Sequence, residues 1–411
     1  MKKVLFVAII ATLIAVGCEK TEIINPNLGT EILFSPELGK LTKAEGDIDA
    51  TLKDQGFKVS AINAYEDIYT TDKEFNTVYR EMDNLKFIYG NNGWALYNGK
   101  SYFWPGTGKD LVFLAVSSKT ETVQIPDIVE DGFGIDGTPV KDSKNNNTGA
   151  YTGITVNNFT IPNFIVTAPS YVKEAGENAN VGDQTGADDD LMVANVVIQN
   201  QDDNQGDVLK GQVKLDFSHT LSKVQFVFTT NTTTDYPVTV NKVEVKDVIN
   251  KATLGVGVSF ATGSRTSTNT YDWSPSNDDE DENYLAQKIE GENNYQNFVI
   301  DYNLSLLTGQ ELPYATWLVI PQSLEGKMVS ITYTIADNNN KDADGNAVTS
   351  VFTSVFPLYT SDLLAWSRNQ YVRYKINLSP NLITFNPVVS EDWEAFDPGE
   401  DGTADDIVHT N

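Results

Sequence analysis

Apolar and polar residues alternate along several short segments of this chain. Such period-two alternation places the apolar side chains on one face of a β-strand. Clusters of Asn, Asp and Gly lie between these segments and are typical of turns. The sequence therefore predicts an all-β fold built from β-sandwiches. The clearest segments are FKVSA (57–61), GQVKLDF (211–217), KVQFVF (223–228), MVSITYTI (328–335) and YVRYKINL (371–378).

Helical periodicity is scarce, and one short segment, TSDLLAW (360–366), is predicted as a helix with Thr360 or Ser361 as its cap. With 411 residues, the chain exceeds what one hydrophobic core usually serves. An acidic region at 186–207 suggests the boundary between two sandwich domains. We place the N-terminal β-sandwich at 36–207 and the C-terminal β-sandwich, with an acidic tail, at 208–411.

The N-terminus has the layout of a secretory signal peptide. A short basic start, MKK, precedes the apolar run VLFVAIIATLIAV (4–16), which is too short for a spanning helix of about 20 residues. Gly17 then precedes Cys18, the one cysteine of the chain. We therefore assign residues 1–17 to a signal peptide. An ordinary secretory cut that leaves Cys18 as a spare thiol is the alternative.

The segment AVGC (15–18) resembles the lipobox of bacterial lipoproteins, although Ala15 stands where Leu is usual. The resemblance implies cleavage before Cys18, a lipid on its sulfur and acylation of its new amine. Two or more acyl chains anchor a protein firmly in a membrane. We therefore expect an outer-membrane lipoprotein that faces the cell surface, with residues 18–35 as a spacer between lipid and fold.

The formal net charge of −28 makes nucleic acid and anionic membrane surfaces poor partners. With a single cysteine the chain forms no internal disulfide, so its stability comes from its hydrophobic cores.

Few residues carry the signals of catalytic chemistry. His219 lies in DFSHTLS, where packing in a core or turn is the main interpretation and catalysis the alternative, and His409 lies in the tail. The usual metalloprotease, acyl-transfer and phosphate-loop motifs are absent from the sequence, so we predict no catalytic residues, no metal and no cofactor. Acidic runs such as NDDEDEN (277–283) are interpreted as solvated loops, although composition leaves a glycosidase carboxylate pair open.

Two further segments each have two interpretations. The loop NKDADGNAVTSV (340–351) matches half of a calcium-loop pattern but ends in Val351 instead of Glu, so a simple Asp-Gly turn is the alternative. An aromatic cluster could form a glycan-stacking platform or part of the first hydrophobic core. Its members are Trp94, Tyr97, Tyr102, Phe103 and Trp104.

Five segments, in order along the chain, resemble the fimbrillin family of fimbrial stalk, anchor and tip proteins and related surface lipoproteins. The family resemblance implies two tandem transthyretin-like β-sandwich domains and a non-enzymatic surface subunit that functions in fimbria assembly and adhesion. The segments are GWALYNGKSYFWPGTGKDLVFLAVSS (93–118), DDDLMVANV (188–196), GQVKLDFSHTLSKVQFVF (211–228), LPYATWLVIPQSLEGKMVSITYTI (312–335) and WSRNQYVRYKINLSPNLITFNPVVSEDW (366–393).

The family also implies donor-strand exchange, in which a protease frees an N-terminal strand and another subunit fills the groove. The segment TEILFSPELG (30–39) is the candidate removable strand, and Lys40 and Lys43 are candidate cleavage points in place of the usual Arg. The segment 381–393 is either a donor strand or the last strand of the second sandwich.

The expected partners are other fimbrial subunits, the outer membrane through the lipid on Cys18, and a host or bacterial surface ligand. A glycan-binding outer-membrane lipoprotein is the alternative function, and a carbohydrate-active enzyme is a weaker third.

Overall fold

The structure is a computed structural model, and none of the helices in its described part combines the length and apolarity that a membrane crossing requires. It describes residues 30–38, 50–63, 80–91, 93–105, 110–126, 135–141, 144, 147–168, 170–172, 183–185, 189–201, 212–273, 285–286, 294–379 and 382–390.

These residues form an all-β fold with one short helix, α1 (Ala50–Gln55). The strands are β1 (Leu33–Leu38), β2 (Phe57–Asn63), β3 (Arg80–Gly90), β4 (Gly93–Leu96), β5 (Leu111–Ser117), β6 (Ile135–Lys141), β7 (Asn147–Val156), β8 (Phe159–Ile165), β9 (Ser170–Val172), β10 (Asp183–Thr185), β11 (Met192–Ala194), β12 (Val197–Gln199), β13 (Gln212–His219), β14 (Ser222–Thr229), β15 (Val238–Ile249), β16 (Lys251–Ser259), β17 (Thr268–Asp272), β18 (Tyr295–Ser305), β19 (Leu312–Val319), β20 (Gln322–Ser323), β21 (Met328–Lys341), β22 (Ala347–Pro357), β23 (Ala365–Trp366), β24 (Tyr371–Ser379) and β25 (Leu382–Ser390).

The first large sheet has the strand order β1-β13-β11-β5-β2-β3-β4, and β12 also pairs with β5. Every residue of the central strand β5 is buried, so both faces of this sheet are covered. One face carries a compact core around Phe57, Phe113 and Phe217, and Leu52 of α1 packs against it. The other face belongs to a larger core that continues into the second half of the chain.

A three-stranded sheet, β17-β16-β8, packs on that second face. Polar contacts join the two sheets: the Tyr271 hydroxyl donates to the Val193 carbonyl, and the Asn269 amide donates to the Ala194 carbonyl. Both this packing and the first sheet combine strands from before and after the predicted domain boundary at 207/208. Strand β13 follows that boundary but lies in the first sheet, and β8 precedes it but pairs with β16.

The remaining large sheets, β19-β14-β24-β25 and β18-β15-β21-β22, form a sandwich with aromatic contacts between them. Trp317 of the first contacts Phe298 of the second, with ring centroids 5.6 Å apart. At one margin, Phe356 and Phe385 stack with centroids 5.0 Å apart. The Tyr314 hydroxyl donates to the carbonyl of Tyr302 across the same interface. The transthyretin-like detail of the predicted fold stays a prediction.

The predicted helix at 360–366 is wrong. Thr360 and Leu363 exchange two backbone hydrogen bonds in a tight turn, and Ala365–Trp366 form β23, which pairs with β20. The short apolar run DLLAW suggested one helical face, but Leu364 is exposed while Trp366 is fully buried. Tertiary pairing of Trp366 with Gln322 therefore overrides the local pattern.

Gly56 joins α1 to β2 at a position that excludes a side chain. Its φ is +71°, and a Cβ built there would lie 2.3 Å from the Phe87 carbonyl oxygen. We therefore expect Gly56→Ala to lower the free energy of unfolding by about 2 kcal/mol or more, because strain and backbone collision add. Gly345→Ala is the matched control, since Gly345 has φ +84° but open space around it. Urea unfolding of both variants measures the difference, and equal losses would contradict this account.

Candidate functional site

We call the surface on which β1 lies the strand groove; it follows the outer edge of β13. Residues 31–37 alternate strictly across it: Ile32, Phe34 and Pro36 are buried, whereas Glu31 and Leu33 are exposed. β1 runs parallel to β13, and Phe34 is opposite Val213 in the register. This edge position agrees with the expectation for residues 30–39. Pro36 fits it as well, because proline cannot donate an N–H to a sheet and is therefore confined mainly to edge strands.

Backbone contacts fix the start of β1 on its other side. The Ile32 N–H donates to the Tyr102 carbonyl at 2.8 Å, and the Trp104 N–H donates to the Thr30 carbonyl at 2.9 Å. A side-chain bond from Gln201 to the Thr30 hydroxyl, 2.9 Å long, adds to them. The groove therefore has two walls, one made by β13 and one by the segment around residues 102–104.

An aromatic floor receives Phe34. The centroid of its ring lies 4.9 Å from that of Phe87, 5.8 Å from that of Phe113 and 6.2 Å from that of Phe57, each in an edge-to-face arrangement. Phe217 in turn contacts Phe57 at 5.7 Å. Such pairs add stability beyond the burial of area alone. The side chain of Phe34 therefore acts as an apolar plug in a socket formed by Phe57, Phe87 and Phe113.

Charge contributes little to this site. On the outer face of β1, Glu37 pairs with Lys214 at 2.9 Å, but both side chains are partly exposed, and such surface pairs contribute little. On the opposite face of the sheet, Lys58 donates to the carbonyls of Glu121 and Val123. Burial lowers the pKa of Lys58. β1 is thus held mainly by apolar contacts and its ladder, a combination typical of strand-binding grooves.

Several residues predicted from the sequence lie outside the described residues. These are Cys18, Lys40, Lys43, His409 and the acidic run at 277–283. Among the residues that the structure does describe, no group of three or more metal-binding side chains occurs.

Within the candidate donor segment 381–393, residues 382–390 form β25 at the edge of its own sheet, and the others lie outside the described residues. β25 pairs antiparallel with β24 along its length, and Pro387 is opposite Tyr374. Phe385 stacks on Tyr374 at 5.2 Å and on Phe356 at 5.0 Å. These contacts agree with the expectation that residues 381–393 provide the last strand of the second sandwich.

The aromatic cluster at 94–104 divides between core and surface. Trp104 is buried against Phe113, and Trp94 and Tyr102 pack on the same core, which favours the core interpretation for these three. Tyr97 is 72% exposed and does not belong to that core. Most of the cluster therefore supports the wall of the strand groove and does not form a stacking platform.

His219 is a buried residue of β13. Its Nδ1 hydrogen-bonds the carboxylate of Asp190, which is also fully buried and precedes β11. The Gln55 amide donates to the Asp190 carbonyl at 2.6 Å. Through Asp190, His219 of β13 and Gln55 of α1 are therefore linked to the chain just before β11. This buried arrangement agrees with the interpretation of His219 as a packed core residue.

The half-matched calcium loop is the tip of the β21–β22 hairpin. The Asp342 carboxylate accepts the N–H groups of Asp344 and Asn346, at 3.0 and 2.8 Å. Gly345 supplies the positive φ that this turn needs. The observed geometry is that of an Asp-Gly turn, and calcium binding there stays untested.

Sequence reasoning missed the floor of the groove. Phe113 lies in a segment that the sequence analysis names and Phe87 in one that it does not, and nothing in the local pattern shows that either residue contacts residues 32–34. The missing information is the pairing of β1 with β13, which joins segments far apart along the chain.

Comparisons with known proteins complete this description. The family model described as fimbrillin-like matches residues 50–393. Among solved structures, a fimbrial protein from Bacteroides vulgatus has 16% sequence identity, covers 88% of this chain and 98% of its own, and gives a TM-score of 0.45. A fimbrial assembly protein from Parabacteroides distasonis has 11% sequence identity, covers 82% of this chain and 91% of its own, and gives a TM-score of 0.29. None of the curated proteins searched matches the chain.

Proposed function

Because the chain belongs to the fimbrillin-like family, we propose that it is a non-enzymatic subunit of a fimbria or fimbria-like surface structure, as an anchor, accessory or tip component. Its partners are other fimbrial subunits. The observation that carries this proposal is the strand groove, in which an edge strand is held by two plugs, Ile32 and Phe34. Assembly proteins of this kind need such a separable strand and a socket that another strand can fill.

We further propose that assembly proceeds by exchange of β1 for a strand of another subunit. β1 lies at the edge of its sheet with one neighbouring strand, so its departure breaks the ladder to β13 and the two backbone bonds that residues 30–32 make with Tyr102 and Trp104. The socket of Phe57, Phe87 and Phe113 would remain, because these residues lie on β2, β3 and β5 of the sheet interior. β25 would stay in place as the last strand of its own sheet, and the donor would come from a different chain.

Proteolytic clipping tests the exchange. Trypsin-type cleavage after Lys40 or Lys43 should allow the purified protein to bind a second subunit of its own system, detected as a complex by size-exclusion chromatography. A synthetic peptide of residues 30–39 should compete for the groove, whereas the same peptide with Phe34→Ala should compete about tenfold less well. Clipped protein that stays monomeric in the presence of these subunits would contradict exchange through β1.

We propose that the lipid on Cys18 places this subunit at the outer membrane. Replacing Cys18 with Ala should move the protein from the membrane pellet to the soluble fraction, because the lost acyl chains supply the anchoring energy. Ala15→Leu is a matched control in the same motif and should leave the protein in the pellet. A Cys18→Ala protein that still sediments with outer membranes would disprove lipid anchoring.

A further inference from the structure

A cavity of about 960 Å³ opens at one end of the second sandwich. We call it the hairpin pocket. One wall is the β21–β22 hairpin, a second is the loop 231–236, and a third comes from the ends of β24 and β25. The side chains that matter for its chemistry are Tyr236, Asn340, Ser350, Phe352, Asn377 and Thr384.

The pocket exists because the hairpin is longer than the sheet that supports it. β15 pairs with β21 only as far as Ile335, and beyond that residue β21 continues with β22 alone. The loop before β15 braces the overhang, since the carbonyls of Asp235 and Pro237 accept the N–H groups of Asn338 and Ala336. A fixed concave surface results, built mainly on strands, which suits ligand binding.

Two aromatic side chains of the pocket are partly exposed. Phe352 is 42% exposed, and Tyr236 is 41% exposed. Phe352 also stacks on Tyr333 with centroids 5.5 Å apart, so the orientation of its ring is set by packing. An exposed aromatic face on a rigid support offers a flat apolar surface for the C–H face of a ligand.

The polar groups of the pocket are nearly all neutral. Asn340, Ser350 and Thr384 contribute one amide and two hydroxyl groups to the lining, and these groups can both donate and accept hydrogen bonds. Asp337 is the acidic residue of the lining, and among the described residues no lysine, arginine or histidine lines it. With a net charge of −28 on the chain, this lining disfavours anionic ligands.

We propose that the hairpin pocket binds a neutral oligosaccharide. A pyranose ring combines an apolar C–H face with a rim of hydroxyl groups, which matches aromatic faces surrounded by amides and hydroxyls. A purely apolar ligand would leave those amides unpaired, at a cost in affinity. The volume lies within the range typical of small-ligand sites, about 300–1,000 Å³. This role goes beyond subunit assembly and uses none of the residues of the strand groove.

Isothermal titration of the purified full chain with maltotriose, cellotriose, mannotriose and N-acetyllactosamine tests the proposal, with trigalacturonate as the anionic counterpart. At least one neutral sugar should bind with Kd of about 1 mM or tighter, and trigalacturonate should not. Tyr236→Ala and Phe352→Ala should each weaken binding by about tenfold. Ser350→Arg and Thr384→Arg should abolish it by filling the pocket. Val351→Ala is the control, because Val351 lies on the outer face of the same strand and is 68% exposed.

Absence of binding by all four neutral sugars would overturn the proposal, as would binding that Ser350→Arg and Thr384→Arg leave unchanged. A third outcome would identify another occupant. If the peptide of residues 30–39 binds, Ser350→Arg abolishes that binding and no sugar binds, the pocket is a strand-binding edge. Clipping and subunit binding at the strand groove are measured separately, so failure here leaves the assembly proposal intact.

Discussion

Replacing Phe34 with Ala should lower the free energy of unfolding by about 3 kcal/mol, one of the two largest losses that we expect from a single substitution in this chain. The ring of Phe34 is buried, contacts three other phenylalanines edge to face, and leaves a cavity lined by rigid strands when it is truncated. Chemical denaturation followed by tryptophan fluorescence measures the loss. The synthetic peptide of residues 30–39 should also displace β1 from the strand groove faster, because the Phe34 side chain that holds β1 in place is gone.

The neighbouring residue provides the control for this prediction. Leu33 lies on the outer face of β1 and is 50% exposed, so Leu33→Ala should change the free energy of unfolding by about 0.5 kcal/mol or less. Both variants keep the same backbone ladder to β13. Equal effects of the two substitutions would show that Phe34 is not a plug and that its socket is not formed in solution.

Gln322→Ala is the second substitution with a large expected effect, again about 3 kcal/mol. The Gln322 side chain is fully buried and satisfies backbone groups that have no water available. Its Oε1 accepts from the Ile249 N–H at 2.9 Å, and its Nε2 donates to the carbonyls of Ile249 and Ile320 at 3.1 and 2.8 Å. Alanine would leave a buried donor and two buried acceptors without these partners.

Two further substitutions define the cause of that loss. Ser323→Ala changes the exposed neighbour of Gln322 and should be close to neutral. Gln322→Glu keeps the size and one acceptor but loses the amide donor and adds a buried charge, so it should be at least as destabilising as Ala at neutral pH. A well-tolerated Glu at this position would contradict the hydrogen-bond account. Thermal unfolding of the three variants gives the comparison.

Local patterns predicted the strands well, because period two depends only on neighbouring residues. The segments around Phe57, Val224 and Val372 are strands of the structure, as expected. The all-β fold and the membership in a fimbrillin-like family are confirmed. The edge position of β1 was also anticipated from its short amphipathic pattern.

The alternation of apolar and polar residues does not predict which distant strands pair with each other. The strands GQVKLDF and KVQFVF follow each other closely and look like a hairpin, but β13 joins the first large sheet and β14 joins another. Only two residues, Thr220 and Leu221, separate them, and both are buried. Tertiary burial therefore decides their separation, and alternation cannot reveal which sheet a strand will join. The hairpin pocket was missed for the same reason, since its walls come from separate parts of the chain.

The parallel pairing of β1 with β13 also has a consequence for the order in which the chain folds. Residue 34 is synthesised early, but its partner Val213 emerges only after the intervening strands of the first sheet. Contacts of such high sequence separation form late, because the loop between them must close first. During most of synthesis, the backbone edge of β1 that pairs with β13 therefore has no native partner within the nascent chain, although the aromatic residues that contact Phe34 are already present. A chaperone would therefore have its longest opportunity to bind the nascent protein at that edge.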